Sequence, residues 1–398
     1  MQEKRIIYIL SGSAFFLSVG YTMLIPFLPV YLLELGADEH TVAVWSGFVF
    51  SITFFIAGIM APIWGKLADK NGKKRMVIRA GIALGFCYAF AGMVQNEWQL
   101  FFARGLMGFA NGFVPAAMTL LSTSVNQKEV GIALSKFQMG LILGNVVGPF
   151  MGGLISQLVG MRPAFYVVGI VLFIITFVVY RWIPEPIVEN EEEAEATKST
   201  SFWQDVEEVR TNAPFMMLAM TGFLVQAALL MIQPIFALYV GQFLGSMEKA
   251  AVMAGSMLSA SGIVAFFLAP WWAKFGQKNG YFKAVVCCLF GSGVMFYFQA
   301  LAPNVWIFAL SQVMLAVFGV GTMPSINAAV TEHTSAATRG RAFGVMTMAQ
   351  QFGSMVGPLF ASLLSVSVGF SAVFFSTGTV LLMVSMWMRR RVKQLITG

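Results

Sequence analysis

Charge is scarce in this sequence. Only 11% of its 398 residues are Asp, Glu, Lys or Arg, less than half the share of an ordinary soluble domain. Two histidines, His40 and His333, and three cysteines, Cys87, Cys287 and Cys288, are too few and too scattered for a metal site or a disulfide framework. All three cysteines fall in apolar runs and read as small packing residues. No Walker loop occurs, so ATP is not the driver. No nucleophile, base or ligand set converges inside an apolar stretch, which argues against an enzyme, a cofactor or a metal.

What is present is apolar bulk. Fifty-eight per cent of the residues are hydrophobic, with 38 Phe and 26 Met. Runs of about 20 apolar residues recur along the chain, the length that crosses a ~30 Å hydrocarbon layer. Twelve helical spans are expected, near 6–33, 44–66, 77–95, 98–121, 131–159, 164–183, 214–240, 250–273, 282–301, 304–328, 340–367 and 370–388. The first run, Ile6 to Leu35, is too long for a signal-peptide core and reads as span 1. The longest polar gap, 184–213, carries Glu189, Glu191, Glu192, Glu193 and Glu195 and reads as a solvated acidic linker. It divides a six-helix bundle over 1–183 from another over 214–398.

Charge tests the topology, because cytoplasmic loops collect Lys and Arg. With both termini inside, inner segments hold 21 of the 25 basic residues. Outer loops hold only Arg162 and Lys249, while Arg104 and Lys136 fall within spans. The net charge of +7 is therefore topological, and nucleic-acid binding is rejected. The expected setting is a bacterial cytoplasmic membrane, crossed many times.

The halves repeat. Pro26 and Tyr31 recur as Pro234 and Tyr239; Pro62, Trp64, Lys66, Lys70, Asn71 and Gly72 as Pro270, Trp272, Lys274, Lys278, Asn279 and Gly280. Gly112 and Pro115 recur as Gly321 and Pro324, and Gly144, Gly148 and Pro149 as Gly353, Gly357 and Pro358. The offset is 208 or 209 throughout. A duplicated unit in one orientation predicts an all-α membrane protein of two six-helix bundles. They are related by a pseudo-twofold axis along the membrane normal, with one substrate site between them.

Three motifs stand out. Gly65-Lys66-Leu67-Ala68-Asp69-Lys70-Asn71-Gly72-Lys73-Lys74-Arg75 joins spans 2 and 3, with glycines for a tight turn and close helix approach. Arg104 lies in span 4 at membrane depth, where a guanidinium is costly and seldom idle, followed by Gly105, Gly108 and Gly112. Span 5 carries Gly140, Gly144, Gly148, Pro149, Gly152 and Gly153, a flat small-residue face with a kink-prone proline.

Together these motifs resemble the major facilitator superfamily, and within it the twelve-span drug–proton antiporters. The chain also resembles PmrA-like multidrug exporters, through Pro26-Phe27-x-Pro29, Gly112-Phe113-Val114-Pro115 and Leu238-Tyr239-Val240. The resemblance implies proton coupling at Arg104 and a gating charge network of Asp69, Lys73 and Glu129 with Arg339 or Arg341. It implies export rather than import through the span 5 motif, echoed by Gly357 and Pro358. The second copy of the loop has Gln277 in place of the acid, so the full network is expected in the first half alone.

No acid is expected mid-span, a departure from many drug–proton antiporters. Glu34, at the outer end of span 1, is the proton carrier left. A cavity without acids would offer aromatic, amide and thioether groups: Tyr21, Asn111, Gln138, Gln226, Gln233, Tyr239, Gln312, Asn327 and Gln350, with Met118, Met139, Met231 and Met346. Gln226 and Gln233, seven residues apart, are expected on one face of span 7. The expected activity is proton-coupled efflux of hydrophobic drugs by alternating access, by a monomer in the bilayer. The competing reading is a dedicated exporter of one endogenous metabolite, such as a siderophore, sugar or lipid precursor.

Overall fold

The computed structural model describes residues 2–38, 40–126, 129–184, 213–334 and 339–397. Among them every regular element is a helix. Span 1 comprises Gln2–Met23 and Leu28–Glu34; span 2, Val42–Asn71; span 3, Lys73–Met93; span 4, Glu97–Ala110 and Phe113–Ser124; span 5, Val130–Val159; span 6, Met161–Trp182. Span 7 comprises Ala213–Met231 and Phe236–Leu244; span 8, Met247–Asn279; span 9, Tyr281–Ala300; span 10, Val305–Glu332; span 11, Arg339–Ser367; span 12, Phe370–Thr397. Nearly all of the expected acidic linker, including its five glutamates, lies outside the described residues.

Among the described residues, eleven spans are long and apolar enough to cross a membrane. Span 11 is 29 residues long but is diluted by Gln350, Gln351 and several serines and glycines. It is sheltered by spans 2 and 7, so its polarity need not face lipid.

Three expected spans are interrupted. Spans 1 and 7 break beside Pro26 and Pro234, which lack a backbone donor. Span 4 breaks at Asn111-Gly112, where Gly112 has φ 127°. The kink-prone Pro149 and Pro358 instead sit inside continuous helices.

The repeat extends to hydrogen bonds. Asn96 caps span 4 by accepting from Gln99 N at 2.9 Å, and Asn304 caps span 10 by accepting from Trp306 N and Ile307 N. Trp64 Nε1 donates to Phe109 O at 2.8 Å, and Trp272 Nε1 to Val317 O at 2.6 Å. Thr53 Oγ1 donates to Arg104 O at 3.1 Å, and Ser261 Oγ to Gln312 O at 3.3 Å. Gly72 (φ 91°) and Gly280 (φ 92°) make the matching turns after spans 2 and 8.

Spans 1, 3 and 2 pack on spans 5, 6 and 4; in the second half, spans 7, 9 and 8 pack on spans 11, 12 and 10. Span 2 against 11 and span 5 against 8 join the halves. Arg5 stacks over Trp182 at 5.8 Å and Lys74 over Tyr180 at 5.5 Å. The starts of spans 1 and 3 therefore meet the end of span 6 on one side of the molecule, hereafter the near side.

Candidate functional site

Small residues set the spacing at both seams and inside each half. In span 5, a Cβ on Gly144 would lie 2.5 Å from Phe15 O and one on Gly140 would meet Ser11 O, so this face is buried against span 1. Thr22 Oγ1 donates to Gly144 O at 3.3 Å and Ser18 Oγ to Leu141 O at 2.9 Å across the contact. Gly353 and Gly357 of span 11 lie in the same way against Phe223 and Ala227 of span 7. The glycine motifs thus serve packing within each half. The adjoining prolines reach across: Pro149 O faces Gly255 of span 8 and Pro358 O faces Gly47 of span 2.

These cross-contacts are one-sided in depth. Ser51 Oγ donates to Met355 O at 2.7 Å, and Ser259 Oγ accepts from Phe150 N at 3.1 Å. Phe27 is fully buried beside Gly153 and Gly255, and Leu238 and Ala251 of the second half join the core of the first. All of these sit in the middle or far-side part of the spans. Toward the near side the halves part. Among the described residues, Gly65 and Gly344 have nothing within 4 Å of an added Cβ. A cavity of about 650 Å³ opens between spans 4 and 5 and span 8, bounded by Met118, Gln138, Met139, Phe266 and Pro270. Its size suits a drug-sized molecule.

The expected site residues divide accordingly. Gln138, Met118 and Met139 line the cavity. Tyr21, Gln226, Asn327 and Gln350 are half-buried, and Gln350 Nε2 reaches Met323 Sδ at 3.7 Å. Gln233 lies in the break of span 7, not on the helix carrying Gln226, so the shared face expected of that pair does not form; its Oε1 is buried without a partner among the described residues. Asn111 uses Oδ1 to accept from Gly112 N at 2.8 Å, holding the span 4 break. Tyr239 is 5% exposed inside a cluster of Phe243, Phe308, Phe370 and Phe374, so its ring is core and only its hydroxyl finds a polar neighbour, Ser371. Gln312 is committed to Gln299, whose Nε2 donates to it.

Arg104 is 2% exposed, with Phe50 5.9 Å below its guanidinium and Tyr21 and Tyr88 as its electrostatic neighbours. Its Nε and Nη2 have no hydrogen-bond partner among the described residues. The repeat places Gln312 in the corresponding slot, where the amide is paired by Gln299; in the first half Ala91 takes the place of Gln299. The first half therefore holds a buried charge where the second holds a neutral pair joined by one hydrogen bond.

The gating residues are less assembled. The side chains of Asp69 and Arg341 lie outside those described. Lys73 and Glu129 are half-buried and form no ion pair among the described residues. Gly72 makes its turn while Gly65 stands free. Span 1 is 33 residues from Gln2 to Glu34, ~50 Å of chain. Glu34 accordingly lies beyond the hydrocarbon, exposed at the far rim. Partial burial pushes its carboxyl up, and Arg162 pulls the other way.

Sequence reasoning missed Arg79. Its Nη2 donates to Ala110 O and Asn111 O at 3.4 and 3.2 Å, and its guanidinium stacks 3.5 Å from the Trp64 ring. It occupies the carbonyls freed by the break in span 4. The repeat substitutes Cys287 at this position, and span 10 runs unbroken. That substitution was a signal available in the sequence.

A model of the Major Facilitator Superfamily matches residues 10–283 and 249–395. The chain belongs to that superfamily. It is a multi-pass membrane transporter with the superfamily's two six-helix bundles. Multidrug resistance protein MdtG of Proteus mirabilis is 31% identical over 394 residues, 98% of this chain and 97% of the relative. MdtG of Dickeya zeae is 32% identical over 380 residues, 95% and 92% of the two chains. Among solved structures, a bacterial homolog of the human lysosomal transporter Spinster, in an inward-facing and occupied conformation, aligns with TM-score 0.80 at 14% identity over 98% and 97%. The nucleoside transporter NupG aligns with TM-score 0.79 at 15% identity over 99% and 100%.

Proposed function

We propose that this transporter exports hydrophobic drugs and toxic compounds in exchange for protons, by alternating access. The observation that carries the reading is its likeness, over nearly its whole length, to proteins named for multidrug resistance. The cavity supports it: Met118, Met139 and Phe266 are soft and apolar, Gln138 is neutral, and among the described residues no charged group lines the space. The dedicated-metabolite exporter has no comparable support.

The two units of the cycle are 1–183 and 214–398, joined by the acidic linker 184–213. The basic bias makes the near side cytoplasmic, with both termini inside, in the cytoplasmic membrane. The conformation described is then inward-facing: sealed at the Phe27 end and open at the Gly65 end. Closure would bring Gly65 toward Gly344 and let Asp69, Lys73, Glu129 and Arg341 form the latch. Arg104 and Glu34 are the proposed proton-coupling groups, and the monomer is the working unit.

Purified transporter in proteoliposomes with an imposed pH gradient tests this. Lipophilic dyes of unrelated structure should move against their gradient, and a protonophore should stop them. Movement of one compound alone, or movement indifferent to the proton gradient, would overturn multidrug antiport. Labelling of single cysteines at Lys4 and Arg391 from the cytoplasmic face checks the orientation.

A further inference from the structure

A second cavity, of about 390 Å³, lies on the far side of the first half, between the starts of spans 2 and 4. Trp45 and Phe48 stand three residues apart on span 2, and Trp98 and Phe101 three apart on span 4, so each pair shares a helix face. All four rings wall the space. Trp45 and Trp98 meet edge to face, with centroids 4.7 Å apart and planes at 83°. Phe48 lies 6.5 Å from Trp45, and Phe101 6.3 Å from Trp98. Thr41 and Val44 complete the lining. Phe48 is six residues into span 2, ~9 Å along the helix, so the box sits near headgroup depth. Trp98 is 58% exposed, which leaves the rings within reach from outside the protein. The repeat shows that the fold does not require this box. Trp98 recurs as Trp306, but Trp45, Phe48 and Phe101 become Met253, Ser256 and Ala309, and Thr41 becomes Lys249. Spans 8 and 10 pack together without the three rings.

We propose that the box binds organic ammonium ions, alkylated cations with short apolar arms, at a site separate from the cavity between the halves. The face of an aromatic ring is electron-rich and attracts a cation. Four rings around one space add these attractions, and their apolar bodies take the alkyl groups. The surrounding charge has the matching sign. Asp38 is tied to the mouth, its carbonyl accepting from Thr41 N at 2.9 Å and from Thr41 Oγ1 at 3.2 Å. Glu97 is the chain neighbour of Trp98. Among the described residues no basic side chain lines the cavity. Of the two basic residues expected in outer loops, Lys249 belongs to the other half and Arg162 is an electrostatic neighbour of Glu34. A phospholipid headgroup fits less well: it brings a phosphate beside its ammonium and meets two carboxylates and no base. Binding is read without transport, so the site stands or falls independently of the export reading.

The test uses full-length transporter in uncharged maltoside micelles at about pH 8, where histidine is neutral, with fluorotryptophan in place of tryptophan. Trp45→Phe and Trp98→Phe assign two of the nine fluorine resonances. Benzyltrimethylammonium should shift both, and its uncharged isostere neopentylbenzene should shift them far less. Equal shifts, or none, reduce the rings to an interfacial anchor and overturn the proposal. Titrations followed at the Trp45 resonance then compare variants of exposed residues. Thr41→Lys copies the second half and should weaken the cation about tenfold, the effect of a like charge a few ångströms away at a protein surface. Thr41→Gln, long but neutral, should stay within about twofold of the wild type by the same reasoning. Equal losses in the two would mean a blocked mouth and overturn the proposal. Trp98→Ala should weaken binding about fivefold, the share of one ring; an unchanged affinity overturns it. Displacement of the cation by short-chain phosphatidylethanolamine at lower concentration would assign the box to lipid and overturn it as well.

Discussion

Gly144→Ala adds one methyl group where spans 1 and 5 touch. The new Cβ would lie 2.5 Å from Phe15 O and 2.6 Å from Ser18 Cβ, against ordinary contacts of about 3.5 Å. The helices must separate by most of an ångström, and such overpacking costs about 1–3 kcal/mol. Separation also stretches the bonds from Ser18 to Leu141 and from Thr22 to Gly144, about 0.6 kcal/mol each in a bilayer. Replacing glycine by alanine in a helix returns about 1 kcal/mol. The net expectation is a loss of about 1–3 kcal/mol. Gly12, also in span 1, has nothing within 4 Å of an added Cβ, so Gly12→Ala keeps the propensity gain without the clash. Thermal unfolding of both variants in one detergent should move the midpoints in opposite directions, down for Gly144 and level or up for Gly12. A Gly144→Ala protein that melts with or above the wild type would refute contact packing at this seam and with it the structural account of the motif.

Arg104→Gln should leave the melting midpoint within a few degrees, because it exchanges a buried charge whose Nε and Nη2 have no partner among the described residues for a neutral amide, yet abolish proton-driven efflux; full efflux in proteoliposomes would remove the charge from the mechanism. Arg79→Ala leaves two carbonyls at the span 4 break without their donor and unstacks Trp64, a loss of about 1–3 kcal/mol. The exposed Arg75→Ala should melt like the wild type; equal effects in the two would show that the cap contributes nothing. Glu34→Gln should eliminate transport driven by an alkaline interior while ligand binding, followed by fluorescence, persists. Because partial burial raises the Glu34 carboxyl, protonation at the far rim should begin at higher pH than for free glutamate, and a pH–rate profile unchanged in the variant would exclude it.

The repeat offset was legible because each matched residue has a local task that a lipid-immersed helix cannot omit. Trp64 and Trp272 each bond a carbonyl of a neighbouring helix, and Gly72 and Gly280 each turn with positive φ. The candidate site was less legible. Gln233 and Tyr239 looked like cavity residues because amides and phenols are uncommon in lipid, yet one lies in a helix break and the other in an aromatic core. Residue type announces that a polar group needs a partner; it does not say whether a ligand, a carbonyl or another side chain supplies it. Gln312 found Gln299, and Asn111 found its own neighbour's amide.

Sequence alone determined the membrane class, the duplication and the relative orientation of the halves, since hydropathy, charge bias and repeat spacing are properties of short segments read one at a time. Tertiary structure decided where the two halves touch, with Gly47 against Pro358 and Gly255 against Pro149, and that Gln138 and Met139 of one half share a cavity with Phe266 and Pro270 of the other. Those outcomes depend on which side chains meet across long stretches of intervening chain.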